Sequence, residues 1–264
     1  STDSRWMIPH FEKMLYDNAL WIRFTAKAFH YSKSILAYES FKATKNWLFN
    51  EMALPSGLFS AAIDADFNGE EGMSYVWTNK QLDIALEDLS GDFKKQLDDH
   101  SINFNNKGWI IHNVKEEKNK SRWNEALKKL KPLALDRDLP FRDEKSICSW
   151  NALACISLLE GFLATGEDYI RTIQSGEAHW LEFQLDTKNP VHICYPDSTK
   201  KNDAFIDDLS FSALLALRMS QATLDSSWLL KCENLIDFIF DHFKDEGKKC
   251  FSYQRLNDPN HTFI

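Results

Sequence analysis

The stretch STDSRWMIPHFEKMLYDNALW (residues 1–21) combines ionisable and aromatic side chains at the start of a strongly apolar segment. Apolar residues recur there at the spacing of an α-helix, which predicts a helix from about Phe11 to His30. A surface helix keeps its charges on one face, and a core helix carries few charges. Because this segment does neither, its pattern is more typical of a helix that lines a cavity, although the edge of a core also fits.

Further along, long helical segments occur in pairs. Ser34 is a candidate N-cap for a second helix that ends near Ala53. The other predicted pairs are 149–166 with 167–185, and 204–220 with 226–243. Short strands are predicted at 58–63, 73–77, 109–114, 191–196 and 250–254, and shorter helices after Thr78, near 91–99 and at 121–134.

One helix of each later pair is more apolar than its partner, as expected for two concentric helical rings whose inner ring is buried on both sides. The inner helices begin with related sequences: Asp17-Asn18-Ala19-Leu20, Trp150-Asn151-Ala152-Leu153 and Asp207-Asp208-Leu209-Ser210. We therefore predict an all-α fold of about four αα-hairpins with short β-hairpin segments. Polar groups collect at the N-terminal ends of these helices, where free N–H groups favour a polar ligand.

Composition argues against several classes of protein. The net charge of −8 argues against nucleic-acid binding, because phosphate neutralisation needs a basic surface, and the basic segment 115–133 is predicted to be a solvated helix face. Five cysteines without a CxxC motif argue against a disulfide framework or a zinc site. We therefore expect the protein to be located in the reducing cytoplasm. We also expect it to bind no metal and no cofactor. No uninterrupted run of about 18 apolar residues occurs, so no membrane span is predicted.

Four segments resemble YyaL-like proteins, also called spermatogenesis-associated thioredoxin-domain proteins. They are STDSRWMIPHFEKMLYDNAL (1–20), DADFNGEEGMSYVWT (64–78), SICSWNAL (146–153) and AFIDDLSF (204–211). The resemblance implies an (α/α)6 toroid, similar to N-acylglucosamine 2-epimerases and six-hairpin glycosidases, that follows a thioredoxin-like domain.

From this resemblance we expect the thioredoxin-like domain and the segment that closes the ring to lie outside this sequence. We therefore expect residues 1–264 to be a single, incomplete toroid domain and a fragment of a longer chain. Two departures from the family's pattern are visible. The stretch FRDEKSI (141–147), just before Ser149-Trp150-Asn151, is shorter and less acidic than the corresponding stretch of the family. After the paired acids Asp207 and Asp208, this chain has Leu209-Ser210 where the family has an aromatic Asp-Tyr-Ala sequence.

Candidate site residues concentrate in the four matching segments. The candidate catalytic residues are His10, Glu12, Asp17, Asp64 and Asp208. The candidate substrate-binding residues are Arg5, Trp6, Tyr16, Asp66, Trp77, Trp150, Asn151 and Asp207. Carboxylates and imidazoles can exchange protons with a sugar, aromatic rings can stack on it, and amides can bind its hydroxyl groups.

The first group opens the predicted first helix. His10 and Asp17 would lie two turns apart on one face, and Glu12 and Tyr16 one turn apart on another. They could form a sugar-binding wall with His10 as an acid or base, or a capped and salt-bridged helix start.

The acidic stretch 64–72 begins like a calcium-binding EF-hand loop, with Asp64, Asp66, Asn68 and Gly69 in register. Its twelfth position is Tyr75 where an EF-hand needs a bidentate Glu, and strands rather than helices are predicted on both sides. The remaining interpretations are an acidic loop over a cavity and a solvated hairpin.

Asp207 and Asp208 precede an apolar helix. They could cap that helix, or one of them could pair with Glu12 or Asp64 as the acid and base of glycoside chemistry. Trp150 and Asn151 could bind a sugar or simply pack.

The histidines at 112, 179, 192 and 242 show no metal-ligand spacing and are predicted to be structural or surface residues. Two functions follow from these observations. The first is a carbohydrate-active toroid, epimerase-like or hydrolase-like, that binds a sugar over the inner-helix N-termini. The second is a non-catalytic module that serves the thioredoxin-like domain; a purely structural scaffold is a further alternative.

Overall fold

The computed structural model describes residues 3–87, 101–111, 120–135, 137–166, 190–197 and 199–256. The chain divides into two compact units. Unit 1 comprises Ser1–Lys13 and Ile63–Phe141, and unit 2 comprises Met14–Ala62 and Arg142–Ile264. The expectation of a single toroid domain over residues 1–264 stays a prediction.

The secondary structure of the described residues is mainly helical. The helices are α1 Leu15–Ser32, α2 Ile35–Trp47, α3 Asn79–Leu86, α4 Lys120–Leu135, α5 Cys148–Thr165, α6 Ile206–Thr223 and α7 Ser227–Phe243; α2 continues as a π-helical turn, Leu48–Met52. The strands are β1 Lys13–Met14, β2 Ala62–Ile63, β3 Asp66–Phe67, β4 Glu70–Glu71, β5 Ser101–Phe104, β6 Gly108–Ile111, β7 Arg142–Asp143, β8 Ser146–Ile147, β9 Val191–Cys194, β10 Lys200–Asp203, β11 Lys244–Asp245 and β12 Cys250–Phe251.

Unit 2 is built from helix pairs, as the sequence predicts. The α1 helix packs antiparallel to α2: Trp21 Nε1 donates to Ser40 Oγ at 3.0 Å, and the Phe29 and Tyr38 rings meet near the turn. The α6 and α7 helices form a second pair. The predicted partner of α5, at 167–185, lies outside the described residues.

The first helices of these pairs run parallel to one another, in the order α1, α5, α6. Tyr16 contacts Trp150 near the start of α1 and α5, and Lys27 pairs with Glu160 further along both helices. The start of α5 also meets the start of α6, where Cys148 Sγ lies 3.6 Å from Ser212 Oγ. Parallel inner helices with antiparallel outer partners are the wall of an (α/α) toroid, so the predicted fold class is confirmed.

The central inner helix, α5, is buried from both sides. Of its 18 residues, 61% are buried, and by length and composition alone it could cross a membrane. Ser, Asn and Glu interrupt its apolar sequence, so the sequence contains no uninterrupted apolar run at this helix. Its packing between α1 and α6 accounts for its composition as a core helix.

Three predicted helix boundaries are confirmed: the N-cap at Ser34, the helix start after Thr78 and the helix end at residue 166. The Ser34 side chain accepts a hydrogen bond from Ala37 N at the start of α2. Thr78 and Gln81 form a reciprocal capping box at the start of α3. Gly166 ends α5 with φ +76°, a conformation that glycine adopts without steric cost.

The described residues of unit 1 form two small apolar clusters and two short β-hairpins. One cluster joins α3 to α4 through Leu82, Ala126 and Leu130. The other surrounds Phe11, which stacks on Tyr75 at 5.5 Å. The hairpins are β3–β4 and β5–β6.

Of the two strand predictions flanking the acidic stretch, one is confirmed in part and the other is wrong. The segment 58–63 contains β2 and a single bridge from Phe59 to Ala53, whereas 73–77 forms turns followed by a single bridge from Trp77 to Trp109. Gly72 starts these turns with φ +79°, a conformation incompatible with a strand. The paired strands lie inside the acidic stretch instead, as β3 and β4.

The start of the first helix is also four residues later than predicted. His10 and Glu12 precede α1 in extended chain, and Lys13–Met14 form β1. The proposed pairing of His10 with Asp17, and of Glu12 with Tyr16, on helical faces is therefore wrong. The physical reason is that Phe11 is buried in the unit 1 cluster, which requires an extended chain before Leu15.

Candidate functional site at the N-terminal ends of the inner helices

An aromatic pair joins the first two inner helices at their N-terminal ends. The Tyr16 and Trp150 rings meet edge to face, with centroids 4.8 Å apart. Both side chains are half-buried, and the neighbouring Asp17 is exposed. Three predicted site residues are thus brought to one end of α1 and α5, where amide N–H groups and an aromatic surface are available together.

Asp208 connects the second and third inner helices, α5 and α6, and is completely buried. Its Oδ1 accepts a hydrogen bond from Ser149 N in the first turn of α5, and its Oδ2 accepts one from Phe205 N before α6, both at 2.9 Å. These donors belong to the positive ends of two helices, which stabilise a carboxylate without a cation. Capping, one of the two interpretations of the sequence, is therefore what this contact does. A catalytic role for Asp208 stays a prediction.

His192 was missed as a site residue. It lies on β9, and its Nδ1 is 2.8 Å from Asp208 Oδ2, while 16% of its side chain remains exposed. The β9 strand pairs with β8, immediately before α5, and this pairing brings His192 to the helix ends. Its ring also contacts Phe205 edge to face at 4.7 Å. The only signal in the sequence was a histidine in a short strand upstream of two acids.

Asp207 is only partly buried and faces Tyr253. Burial raises the pKa of Tyr253, and the negative charges of Asp207 and Asp208, with a hydrogen bond to Asp207, raise it further. Tyr253 stacks on Phe205 with ring centroids 4.8 Å apart. The second oxygen of Asp207, Oδ1, is buried with no hydrogen-bond partner in the described residues.

Asn151 holds the start of α5 against the chain that follows α2. Its Oδ1 accepts from Phe59 N at 2.8 Å, and its Nδ2 donates to Phe59 O and Ile147 O, both at 3.1 Å. The side chain is completely buried. These bonds use the whole amide, which favours packing over sugar binding; the predicted binding role is untested.

Two side chains beside Asp208 are buried but differ in chemistry. Burial, followed by the charge of Asp208, raises the pKa of the Cys148 thiol well above its usual value, so this cysteine stays protonated. The Ser149 hydroxyl is buried and makes no hydrogen bond within the described residues. It is therefore not linked to His192, and a Ser-His-Asp nucleophile is not formed.

The remaining candidates belong to unit 1, and four of them precede α1. Arg5, Trp6, His10 and Glu12 are all exposed. The Asp3 side chain organises this segment by accepting hydrogen bonds from three backbone amides, among them Arg5 N at 3.1 Å. The roles predicted for these residues stay predictions, including the pairing of Glu12 with an acid of α6.

Asp64 precedes the β3–β4 hairpin, and Asp66 is its first residue. Asp64 Oδ1 accepts from Asp66 N at 3.1 Å, which closes the turn before β3. Asn68 and Gly69 both have positive φ, as a two-residue type I′ hairpin turn requires. The stretch 64–72 thus contains a hairpin with exposed acids, and the role predicted for it as an acidic loop over a cavity stays a prediction.

Trp77 is covered on one face by a cation. The Arg137 guanidinium lies 3.9 Å from its ring centroid and also donates to Ser74 O at 2.9 Å. Burial lowers the pKa of Arg137 from its ordinary value. This contact leaves less of the Trp77 ring for a sugar, and the predicted stacking role is untested.

No three His, Cys, Asp or Glu side chains lie close enough to hold a metal ion in the parts of the chain that the structure describes.

No protein-family model matches the chain. Spermatogenesis-associated protein 20 from Homo sapiens is 24% identical over 95% of this chain, and the Mus musculus protein is 25% identical over 95%. The resemblance to spermatogenesis-associated proteins is thereby confirmed. The chain spans 38% of the length of each of these relatives.

Several solved structures of sugar-processing enzymes also match. A D-mannose isomerase matches with 15% identity and a TM-score of 0.37, over 91% of this chain and 78% of its own. A GH76 α-mannanase of Bacteroides thetaiotaomicron matches with 12% identity and a TM-score of 0.40, over 90% and 64%. Cellobiose 2-epimerase of Spirochaeta thermophila matches with 16% identity and a TM-score of 0.37, over 93% and 63%. Because these scores are below 0.5, the assignment of the fold rests on the helix packing described above.

Proposed function

We propose that the N-terminal ends of α1, α5 and α6 bind a carbohydrate, and that the chain is part of a sugar epimerase-like or glycosidase-like enzyme. The observation that carries the proposal is the Tyr16–Trp150 pair at the same end of parallel helices as Asp207 and His192. A sugar presents apolar C–H groups on its ring faces and hydroxyl groups at its edges. It therefore needs an aromatic surface beside polar groups.

Binding of free sugars tests this proposal directly. D-mannose, cellobiose and N-acetyl-D-glucosamine are suitable probes, titrated into the complete protein and followed by calorimetry. Trp150→Leu removes the aromatic surface and should weaken binding at least about tenfold, which corresponds to about 1.4 kcal/mol. Trp21→Leu is the matched control, because Trp21 is a half-exposed tryptophan of α1 that contacts Ser40 on α2.

Two results would overturn the proposal. The first is the absence of binding with any of these sugars. The second is equal binding by wild type and Trp150→Leu, which would mean that the sugar lies elsewhere.

The second candidate function is a non-catalytic module that supports a thioredoxin-like domain in a longer chain. Two observations favour it: the chain spans only 38% of its relatives' length, and the polar atoms of Asn151 and Asp208 are used for internal hydrogen bonds. This function predicts that thiol–disulfide activity of the longer chain survives substitution of Glu12, Asp17 and Asp208. The cytoplasm stays the proposed location.

A further inference from the structure

A small cavity of about 60 Å³ lies between α5 and α6, in the half of the wall away from the candidate sugar site. Leu159 and Leu163 of α5 line one side of the cavity, and Arg218 and Gln221 of α6 line the other. Leu159 lies nine residues beyond Trp150 on the same helix, which is about 14 Å along the axis at roughly 1.5 Å per residue. The cavity is therefore separate from the aromatic pair.

The guanidinium group of Arg218 is only partly hydrogen-bonded. Its Nη1 donates to Gln221 Oε1 at 3.0 Å. Its Nε is buried and has no hydrogen-bond partner within the described residues, and Nη2 makes no hydrogen bond there either. A buried N–H group without an acceptor costs free energy, so this side chain lacks an acceptor that a ligand could supply.

The unused part of the guanidinium matches a carboxylate. The N–H groups of Nε and Nη2 lie along one edge of the planar group, and a carboxylate can accept from both at once. The contact with Gln221 uses Nη1 alone and leaves that edge without a partner. A purely structural role for Arg218, as a stabiliser of the end of α6, therefore does not account for the free edge. A small rotation about the terminal bonds of the side chain brings the enclosed Nε to a ligand in the cavity.

The charges around the cavity favour an anion. Glu160 also lines the cavity, but its Oε1 lies 3.3 Å from Lys27 Nζ and 3.7 Å from Arg23 Nε, both on α1. Two cations thus compensate this one carboxylate. Arg218 has no acidic partner within the described part of the chain, so the group as a whole has an excess of positive charge. Such an excess attracts a negatively charged ligand.

The apolar lining indicates that the ligand also carries a hydrocarbon part. Ile156 and Leu159 are buried, whereas Leu163 is 61% exposed although it borders the cavity. An inorganic anion could bind Arg218 but would leave Leu163 in water. A neutral apolar molecule could cover Leu163 but would leave the guanidinium without an acceptor. A ligand that carries both a carboxylate and a short hydrocarbon chain satisfies both groups.

We propose that this cavity is a second binding site, independent of the proposed sugar site, and that it takes a short unbranched monocarboxylate. The carboxylate group accepts hydrogen bonds from Nε and Nη2 of Arg218, and the hydrocarbon chain packs against Leu159 and Leu163. The small volume of the cavity admits a chain of only a few carbon atoms.

Methyl NMR tests the proposal with ligands of defined chemistry. The complete protein, labelled with carbon-13 in its leucine methyl groups, is titrated with sodium hexanoate at neutral pH and constant ionic strength. The signals of Leu159 and Leu163 should shift and saturate below about 10 mM, as expected for a good ligand of this size. Absence of a saturable shift would overturn the proposal.

Two comparison ligands separate the contributions of charge and chain. The first, 1-hexanol, has the same chain without the charge, and the second, inorganic phosphate, has charge without a chain. Each should bind at least about tenfold more weakly than hexanoate. Equal binding of 1-hexanol would overturn the role of Arg218, and equal binding of phosphate would overturn the role of the two leucines.

Variants of Arg218 test the contact itself. Arg218→Gln removes the charge and should weaken hexanoate binding at least about tenfold, while Arg218→Lys keeps the charge without the planar edge and should weaken it at least about threefold. Binding by Arg218→Lys as tight as that of wild type would overturn the two-point contact. If Arg218→Gln fails to fold, the comparison of hexanoate with 1-hexanol decides the role of the charge.

The matched control is Arg23→Gln. Arg23 is also an arginine near Glu160, but it belongs to α1 and is not one of the side chains that line the cavity. This substitution should change hexanoate binding less than about threefold. A loss equal to that of Arg218→Gln would assign the effect to the general positive charge and overturn the direct contact with Arg218.

Discussion

The buried Asn151 side chain allows the sharpest test of how unit 2 is held together. In Asn151→Ala, three hydrogen bonds are lost, each worth roughly 0.5–1.5 kcal/mol net. Phe59 O keeps a second partner, Ser146 Oγ at 3.2 Å, but Phe59 N loses its acceptor inside the core. An unsatisfied buried N–H costs roughly 1–3 kcal/mol. We expect Asn151→Ala to lower the free energy of unfolding by about 3 kcal/mol.

Asn18 provides a matched control from the corresponding position of α1. Its Nδ2 donates to the carbonyl four residues earlier, Met14 O at 2.8 Å, just as Asn151 Nδ2 donates to Ile147 O. Asn18→Ala therefore removes the local bond alone and should cost about 1 kcal/mol or less. The difference between the two variants, about 2 kcal/mol, measures the bonds to Phe59.

Urea unfolding followed by circular dichroism gives both free energies. The slope of the transition should be the same in the two variants, so that the midpoints can be compared directly. Equal destabilisation by Asn151→Ala and Asn18→Ala would refute the reasoning, because the bonds to Phe59 would then contribute nothing.

Two further predictions follow from glycine geometry and thiol burial. Gly69→Ala should lower the free energy of unfolding, measured with urea, by about 1 kcal/mol, because the φ of Gly69 is +78° but its surroundings are open. Gly72→Ala should lower it by at least about 1 kcal/mol more, because a Cβ at Gly72 would lie 2.8 Å from the Phe11 ring. Equal losses in the two variants would contradict the tight packing around Gly72. Iodoacetamide at pH 8 should label the exposed Cys250 in the native protein and leave Cys148 unlabelled until unfolding, because burial, and then charge, raises the pKa of Cys148. Peptide mass spectrometry checks this, and native labelling of Cys148 would contradict its burial.

Long periodic helices were predictable because their signals are local. The Ser34 cap, the capping box at Thr78 and the terminal Gly166 each act within one helical turn, and all three were confirmed. The repeated Asn-Ala-Leu starts at Asn18 and Asn151 correctly identified inner helices, since both side chains close the same local bond.

The failures occurred where tertiary contacts decide the local conformation. The apolar period continues back to Phe11, but Phe11 is anchored in unit 1, so the helix starts only at Leu15. The hairpin inside the acidic stretch had a usable signal, because Asn68-Gly69 is a preferred type I′ pair.

The candidate site was harder to predict because its contacts are distant in sequence. Asp208 was predicted as a catalytic group, but its burial against Ser149, 59 positions away, depends on the packing of α5 against α6. His192 gains its importance only when β9 pairs with β8.

The parallel inner helices also affect where the chain can change during evolution. The turns inside the described helix pairs are tight: Lys33 and Leu224, both with left-handed φ, end α1 and α6 at the end opposite the candidate site. The β9–β10 hairpin, in contrast, brings His192 on β9 to the site end and precedes α6 in the chain. Insertions at the tight turns would disturb helix packing, whereas longer connections at the site end would alter ligand access and leave the wall intact. Such an architecture separates the sequence positions that maintain stability from those that can acquire new specificity.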